Sequence, residues 1–241
     1  MLSAMGLLDT VLDLVLPQAC AGCGIRDRSL CGPCGELLGG AARQVRPAPA
    51  PPGLPPLWTV SMYEGVARAV IVAHKERGRT ALARPLGRAL ARSVLAVLAA
   101  LEAGARGMGG SESAVESTGV PVVVPVPSSA AVVRQRGHDA TGRMAAVAVR
   151  EIHAAGVRAV RVNALRQRRH VADQAGLSGT ARSANLAGAF EVVSPVAGRR
   201  VVVADDVVTS GATLAEAARA LRAAGADVVG GATVAATPRR W

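Results

Sequence analysis

Aromatic side chains are almost missing from this chain. They make up 2% of its 241 residues, as one Tyr, one Phe and two Trp. That argues against a row of rings on which successive bases of a single strand could stack. The core must instead be built from Val, Leu and Ala, within a hydrophobic content of 50%. No apolar run reaches the roughly 18 residues of a membrane span. The first residues, MLSAMGLLDTVLDLVLP, lack the basic start of a secretory signal. With Asp9 and Asp13 among Leu8, Leu12 and Val15 at helical spacing, they predict a short amphipathic helix and a cytoplasmic location. A glycine-rich loop closed by a Walker lysine is missing, which excludes a P-loop NTPase. G-x-G-x-x-G is missing too, which excludes a dinucleotide site. No repeat recurs at a fixed period. Acidic residues are scarce: 17 Asp and Glu stand against 28 Lys and Arg, a net charge of +11. That excess favours a polyanionic partner, either nucleic acid or a small phosphorylated molecule.

Cysteine is absent except in one place. Cys20-Ala-Gly-Cys23 and Cys31-Gly-Pro-Cys34 hold all four. Two such knuckles bring four thiolates to the positions a tetrahedral Zn²⁺ needs, and four thiolates leave no open position, so the metal is structural. A reducing compartment argues against two disulfides, and the doubled motif argues against a lone redox pair.

The rest of the chain divides by periodicity. The stretch 46–56, RPAPAPPGLPP, reads as a semi-rigid linker. WTVSMY (58–63) has strand character, and 64–102 is mostly helical. Residues 104–119 form a Gly/Ser-rich loop. VPVVVP (120–125) is a continuous β-branched run, the mark of a strand buried on both faces. A helix over 139–154, strands over 157–165 and 188–193, and a basic, polar segment over 166–186 follow. A strand–helix–strand unit over 200–236 ends the series. Strands alternating with helices predict an α/β fold with a doubly wound, mostly parallel sheet.

The most informative stretch is VVVADDVVTSGAT, residues 201–213. A buried strand runs into Asp205 and Asp206, then into a turn of Thr209, Ser210, Gly211, Ala212 and Thr213 that opens a helix. Amides of such a turn and the helix dipole converge on an anion. Two carboxylates beside an anion site make sense if they accept hydrogen bonds from vicinal hydroxyls, or if they hold Mg²⁺ against a polyphosphate. A ribose 5-phosphate satisfies both halves.

This string resembles the signature for 5-phosphoribosyl 1-pyrophosphate (PRPP) in type I phosphoribosyltransferases. The two cysteine knuckles, Tyr63-Glu64-Gly65 with Lys75, Val124-Pro125-Val126-Pro127 and Arg136-Gly137 resemble the ComF family. Gln174, Leu177-Ser178, Arg182, Asn185 and Phe190 extend that likeness. The family commonly has Arg-Gly-Phe-Asn where this chain has Arg136-Gly137-His138-Asp139. The resemblance implies a type I phosphoribosyltransferase fold over 58–241, preceded by a helix and four-cysteine zinc finger over 1–45 and the linker 46–57. It implies Mg²⁺-dependent PRPP binding, with Asp205 and Asp206 orienting the ribose hydroxyls and 209–213 holding the 5-phosphate. Pro127, Ser128, Ser129, Arg134, Arg136 and Lys75 would serve the pyrophosphate. Arg166, Gln174 and Arg182 would do so from a mobile loop. It further implies a link to DNA uptake in competence, or to DNA processing, and a homodimer. A PRPP or nucleotide sensor, or a single-stranded-DNA-binding protein, is the alternative; nucleobase salvage is a weaker one, because no base-recognition element stands out.

Overall fold

The computed structural model describes residues 19–107, 119–168 and 188–238. The expected N-terminal helix, most of the 104–119 loop, and Gln174 and Arg182 lie outside the described residues.

Among the described residues, six strands form the main sheet: β1 (Arg43–Val45), β2 (Leu57–Met62), β3 (Val122–Pro125), β4 (Val160–Arg161), β7 (Arg200–Val208) and β8 (Asp227–Ala236). Their spatial order is β1-β2-β8-β7-β3-β4. Every pairing is parallel except that of β1 with β2. The fold is thus the mixed α/β architecture with a mostly parallel sheet that the alternating pattern predicts.

The valine runs are strands because both of their faces are covered. Val122, Val123 and Val124 of β3 pair in register with Val201, Val202 and Val203 of β7, and all six are buried. Side chains alternate across the sheet with a period of two. Val202 and Ala204 pack into one apolar layer with helices α2 (Gly65–Glu76), α3 (Ala83–Gly107) and α5 (Ala140–Ala154). Val201 and Val203 pack into the other, beneath helix α6 (Ala212–Ala223).

Three local features depart from the sequence-based expectations. The strand expected over 157–165 is interrupted: after Val162, whose N–H donates to the Val123 carbonyl at 3.1 Å, the chain leaves the main sheet. Leu165–Gln167 (β5) then pairs antiparallel with Phe190–Val192 (β6) in a separate ribbon. Arg134 and Arg136, expected just after the strand to serve a pyrophosphate, lie on a short helix not predicted from the sequence, α4 (Ala130–Arg136), capped by the Ser129 hydroxyl. The proline-rich stretch lies against the domain. Pro55 is buried, and the Gly53 carbonyl accepts a hydrogen bond from Arg222 at 2.5 Å.

The cysteine module rests on α2. Helix α1 (Gly32–Leu37) starts at Cys31, and Val66 of α2 packs against the buried cysteines. The Arg79 guanidinium, just past α2, donates to the Ala19 carbonyl at 2.7 Å and the Ser29 carbonyl at 3.2 Å.

Candidate functional site

Ligands of open α/β sheets collect outside the carboxyl ends of the strands, and β7 carries Asp205 and Asp206 close to that end, Asp206 two residues before Val208. Two consecutive strand residues face opposite sides. Asp206 is buried and points to the α2 layer, where the Lys75 ammonium lies 2.5 Å from its Oδ2. Asp205 is half-buried, and its Oδ1 accepts the Asp206 N–H at 2.8 Å. At the end of the strand both carboxylates reach one cavity of about 430 Å³. Lys75, Pro127, Ser128, Thr209 and Thr213 line it with them.

Charge is unevenly matched there. Burial, and then the neighbouring Asp206, push the Asp205 carboxyl well above the usual carboxylate range, against the opposing pull of Lys75. Burial works against the Lys75 ammonium, but Asp206 and Asp205 more than reverse it, so its pKa lies above the ordinary lysine value. Lys75 is therefore a firmly protonated cation facing a pair of carboxylates.

The turn beyond Val208 opens α6. Gly211 sits in the left-handed region at φ 78°. A Cβ there would come within 3.1 Å of Leu54 and 3.3 Å of Pro47. The chain can thus turn sharply into α6, whose first N–H groups have no partner within the helix. The Ser210 hydroxyl accepts from the Ala212 N–H at 3.4 Å. Ser210, Gly211 and Ala212 shape the turn, while Thr209 and Thr213 line the cavity.

Other sequence-predicted site residues are engaged elsewhere. The Ser129 hydroxyl accepts from the Val132 N–H at 3.2 Å, as the cap of α4. Arg134 is exposed on α4. Arg136 grips Glu76 with two nitrogens, Nη2 at 2.5 Å and Nε at 3.2 Å, and so ties α4 to the end of α2. Arg166 is paired with Glu191 on the β5–β6 ribbon, and Arg168 shares that carboxylate at 2.9 Å. Residues that sequence reasoning did not place include Thr141, which is buried and lines the cavity, and Glu76. Tyr63 also lines it. His74 and His138 are both buried, with ring centroids 5.2 Å apart, and among the described residues His138 Nε2 has no hydrogen-bond partner.

The cysteines form a second constellation. All four are free, and their sulfurs lie within 4.8 Å of one another. Cys31 Sγ is 3.6 Å from both Cys20 Sγ and Cys23 Sγ. Four thiolates about 2.3 Å from a Zn²⁺ would be separated by about 3.8 Å, so the cluster fits the metal and could hold it. Burial opposes the Cys20 thiolate, yet N–H donors of Cys23, Cys31 and Gly22 outweigh it and draw its pKa down to about 6. Burial and the neighbouring thiols push Cys34 up. Among the described residues, no helix is long and apolar enough to cross a membrane.

Residues 95–241 match the phosphoribosyl transferase domain family. The chain is also 46% identical over 66 residues to DNA utilization protein YhgH of Escherichia coli (strain K12), and equally so to that of Shigella flexneri. Those matches cover 27% of this chain and 29% of the length of each relative.

Proposed function

The chain belongs to the phosphoribosyl transferase domain family as a ComF-like member, and on that premise we propose that its cavity binds PRPP with Mg²⁺ and transfers the pentosyl group to an acceptor. One observation carries this reading: paired carboxylates and an amide turn, adjacent in sequence, open on one cavity together with a protonated lysine. The amides of 209–213 and the start of α6 hold the 5-phosphate. The ribose hydroxyls donate to Asp205 and Asp206, which favour positive charge as it develops at the anomeric carbon. Lys75 sits where it can exchange part of its pairing with Asp206 for pyrophosphate oxygens. Pro127 and Ser128 close that side of the cavity. Mg²⁺ takes oxygen ligands, commonly one or two carboxylates completed by phosphates and water, so Asp205 and Asp206 suit it. When bound, it would neutralise charge on the pyrophosphate leaving group. No nucleophile on the protein is required; the site positions two reactants and excludes water.

We also assign Zn²⁺ to Cys20, Cys23, Cys31 and Cys34 and a cytoplasmic location to the protein. We propose the domain division 1–45, 46–57 and 58–241, with the end of the first unit, Arg43–Val45, contributing edge strand β1 to the main sheet of the third.

Calorimetry with PRPP, with and without Mg²⁺, tests the reading on wild type and on Asp205→Asn/Asp206→Asn. Wild type should bind with Mg²⁺, and the double variant should lose at least about tenfold in affinity, the scale of one hydrogen bond to a charged group. Failure of wild type to bind would sink the reading.

A second reading is a protein that binds single-stranded DNA and turns nothing over. The name of the curated relatives and the net charge of +11 favour it. Its signature is an affinity for oligonucleotides that falls steeply with salt.

A further inference from the structure

The carboxyl end of the main sheet carries a second and larger cavity, of about 730 Å³. Thr209 lines both cavities, so they meet at the turn that follows Asp205 and Asp206. The floor of the larger one is apolar and comes from the ends of three neighbouring strands: Met62 of β2, Val208 of β7 and Ala236 of β8. Its wall is the edge strand β1 and the residues just after it, which contribute Arg43, Gln44 and Arg46.

The two cavities are opposite in charge. The smaller is lined by three carboxylates, those of Glu76, Asp205 and Asp206, and one ammonium, Lys75. Among the described residues, those lining the larger include two arginines, Arg43 and Arg46, and no Asp or Glu. Arg43 makes no ion pair among the described residues. A guanidinium presents a planar fork of donors that fits a carboxylate or a phosphate. A volume of this size suits a small molecule with an apolar body and a few polar anchors.

The geometry points to this cavity as the subsite for a second ligand: a compact, mostly apolar molecule carrying a carboxylate or a phosphate, read by Arg43 and Arg46. Its role as acceptor of the pentosyl group rests on the PRPP reading. The charge preference does not. The proline-rich segment gains a purpose here, since Pro47 both lines this cavity and lies against Gly211 of the phosphate turn.

The test uses the full, zinc-loaded chain and three matched pairs: orotate with uracil, nicotinate with nicotinamide, and adenosine 5′-monophosphate with adenosine. Each is titrated by calorimetry in saturating PRPP and Mg²⁺, and again without them. In at least one pair the charged member should bind at least about tenfold tighter than its neutral partner. The carboxylate pairs and the phosphate pair separate the two sources of negative charge. Arg43→Gln/Arg46→Gln should erase the preference while its PRPP titration matches wild type, which also shows that the variant is folded. Arg43→Lys keeps the charge without the fork and should retain part of it. The subsite is overturned if no pair shows the preference, if no probe binds, or if the preference survives the double substitution. If wild type fails to bind PRPP while the arginine-dependent preference persists, the phosphoribosyl reading falls and the subsite stands.

Discussion

Charge on Asp205 is costly in the empty fold, because the carboxylate is taken out of water beside a second one. Burial and Asp206 raise its carboxyl pKa. A group whose folded pKa lies above its unfolded value adds stability below the unfolded value, about 3.9 for Asp. That contribution is lost as pH rises through the folded value. At neutral pH the charged carboxylate is therefore a cost to the empty protein, and under the proposed function ribose hydroxyls would offset it. Asp205→Asn keeps an oxygen for the Asp206 N–H and removes the charge. It should raise the thermal midpoint of the empty protein by a few degrees at pH 7, and the gain should shrink as pH falls toward 4, read by differential scanning calorimetry. A variant less stable than wild type at pH 7 would contradict this account. The two aspartates and the small-residue turn were legible in the sequence because strand, carboxylates and turn are contiguous. The Lys75–Asp206 pair was not, because its partners come from different elements and only the parallel sheet brings α2 over the end of β7. Arg136 and Arg166 illustrate the converse. Their charge was visible, but their partners Glu76 and Glu191 were not, and those partners decide where each guanidinium points.

Among the elements, the long valine runs declared themselves as buried strands because both faces must be apolar. Strand β1 did not, since Arg43-Gln44-Val45 has neither an apolar run nor alternation, and β2 beside it supplies the pairing. Helix α3 holds a case in which packing overrides propensity. Gly87 lies inside the helix, where Ala would be favoured by about 1 kcal/mol. A Cβ at that position would lie 2.4 Å from Val147 Cβ and 2.8 Å from the Met144 carbonyl oxygen, both on α5. Val147 is β-branched and cannot swing aside, and overpacking costs about 1–3 kcal/mol. Gly87→Ala should therefore lose up to about 2 kcal/mol net, measured by urea unfolding; a gain would mean that the α3–α5 contact yields more readily than its distances imply.

At the scale of the whole molecule, the cysteine module and the candidate site share helix α2. Val66 near its start packs on the cysteines, Arg79 just past its end holds two carbonyls of the module, and Lys75 between them faces Asp206. Removing Zn²⁺ with a strong chelator, or replacing Cys31 with Ala, should lower the thermal midpoint. It should also weaken PRPP binding, although no cysteine lines the cavity. Unchanged PRPP affinity in a chain shown by elemental analysis to be metal-free would separate the two. The strand order carries a consequence for how the chain is made. β8 lies between β2 and β7 in the middle of the sheet, yet of the described strands it is the last in sequence. Until β8 has left the ribosome, β2 and β7 have no common neighbour, and the nascent chain carries two unjoined half-sheets with unpaired strand edges. Such edges invite wrong pairing until β8 arrives to join them.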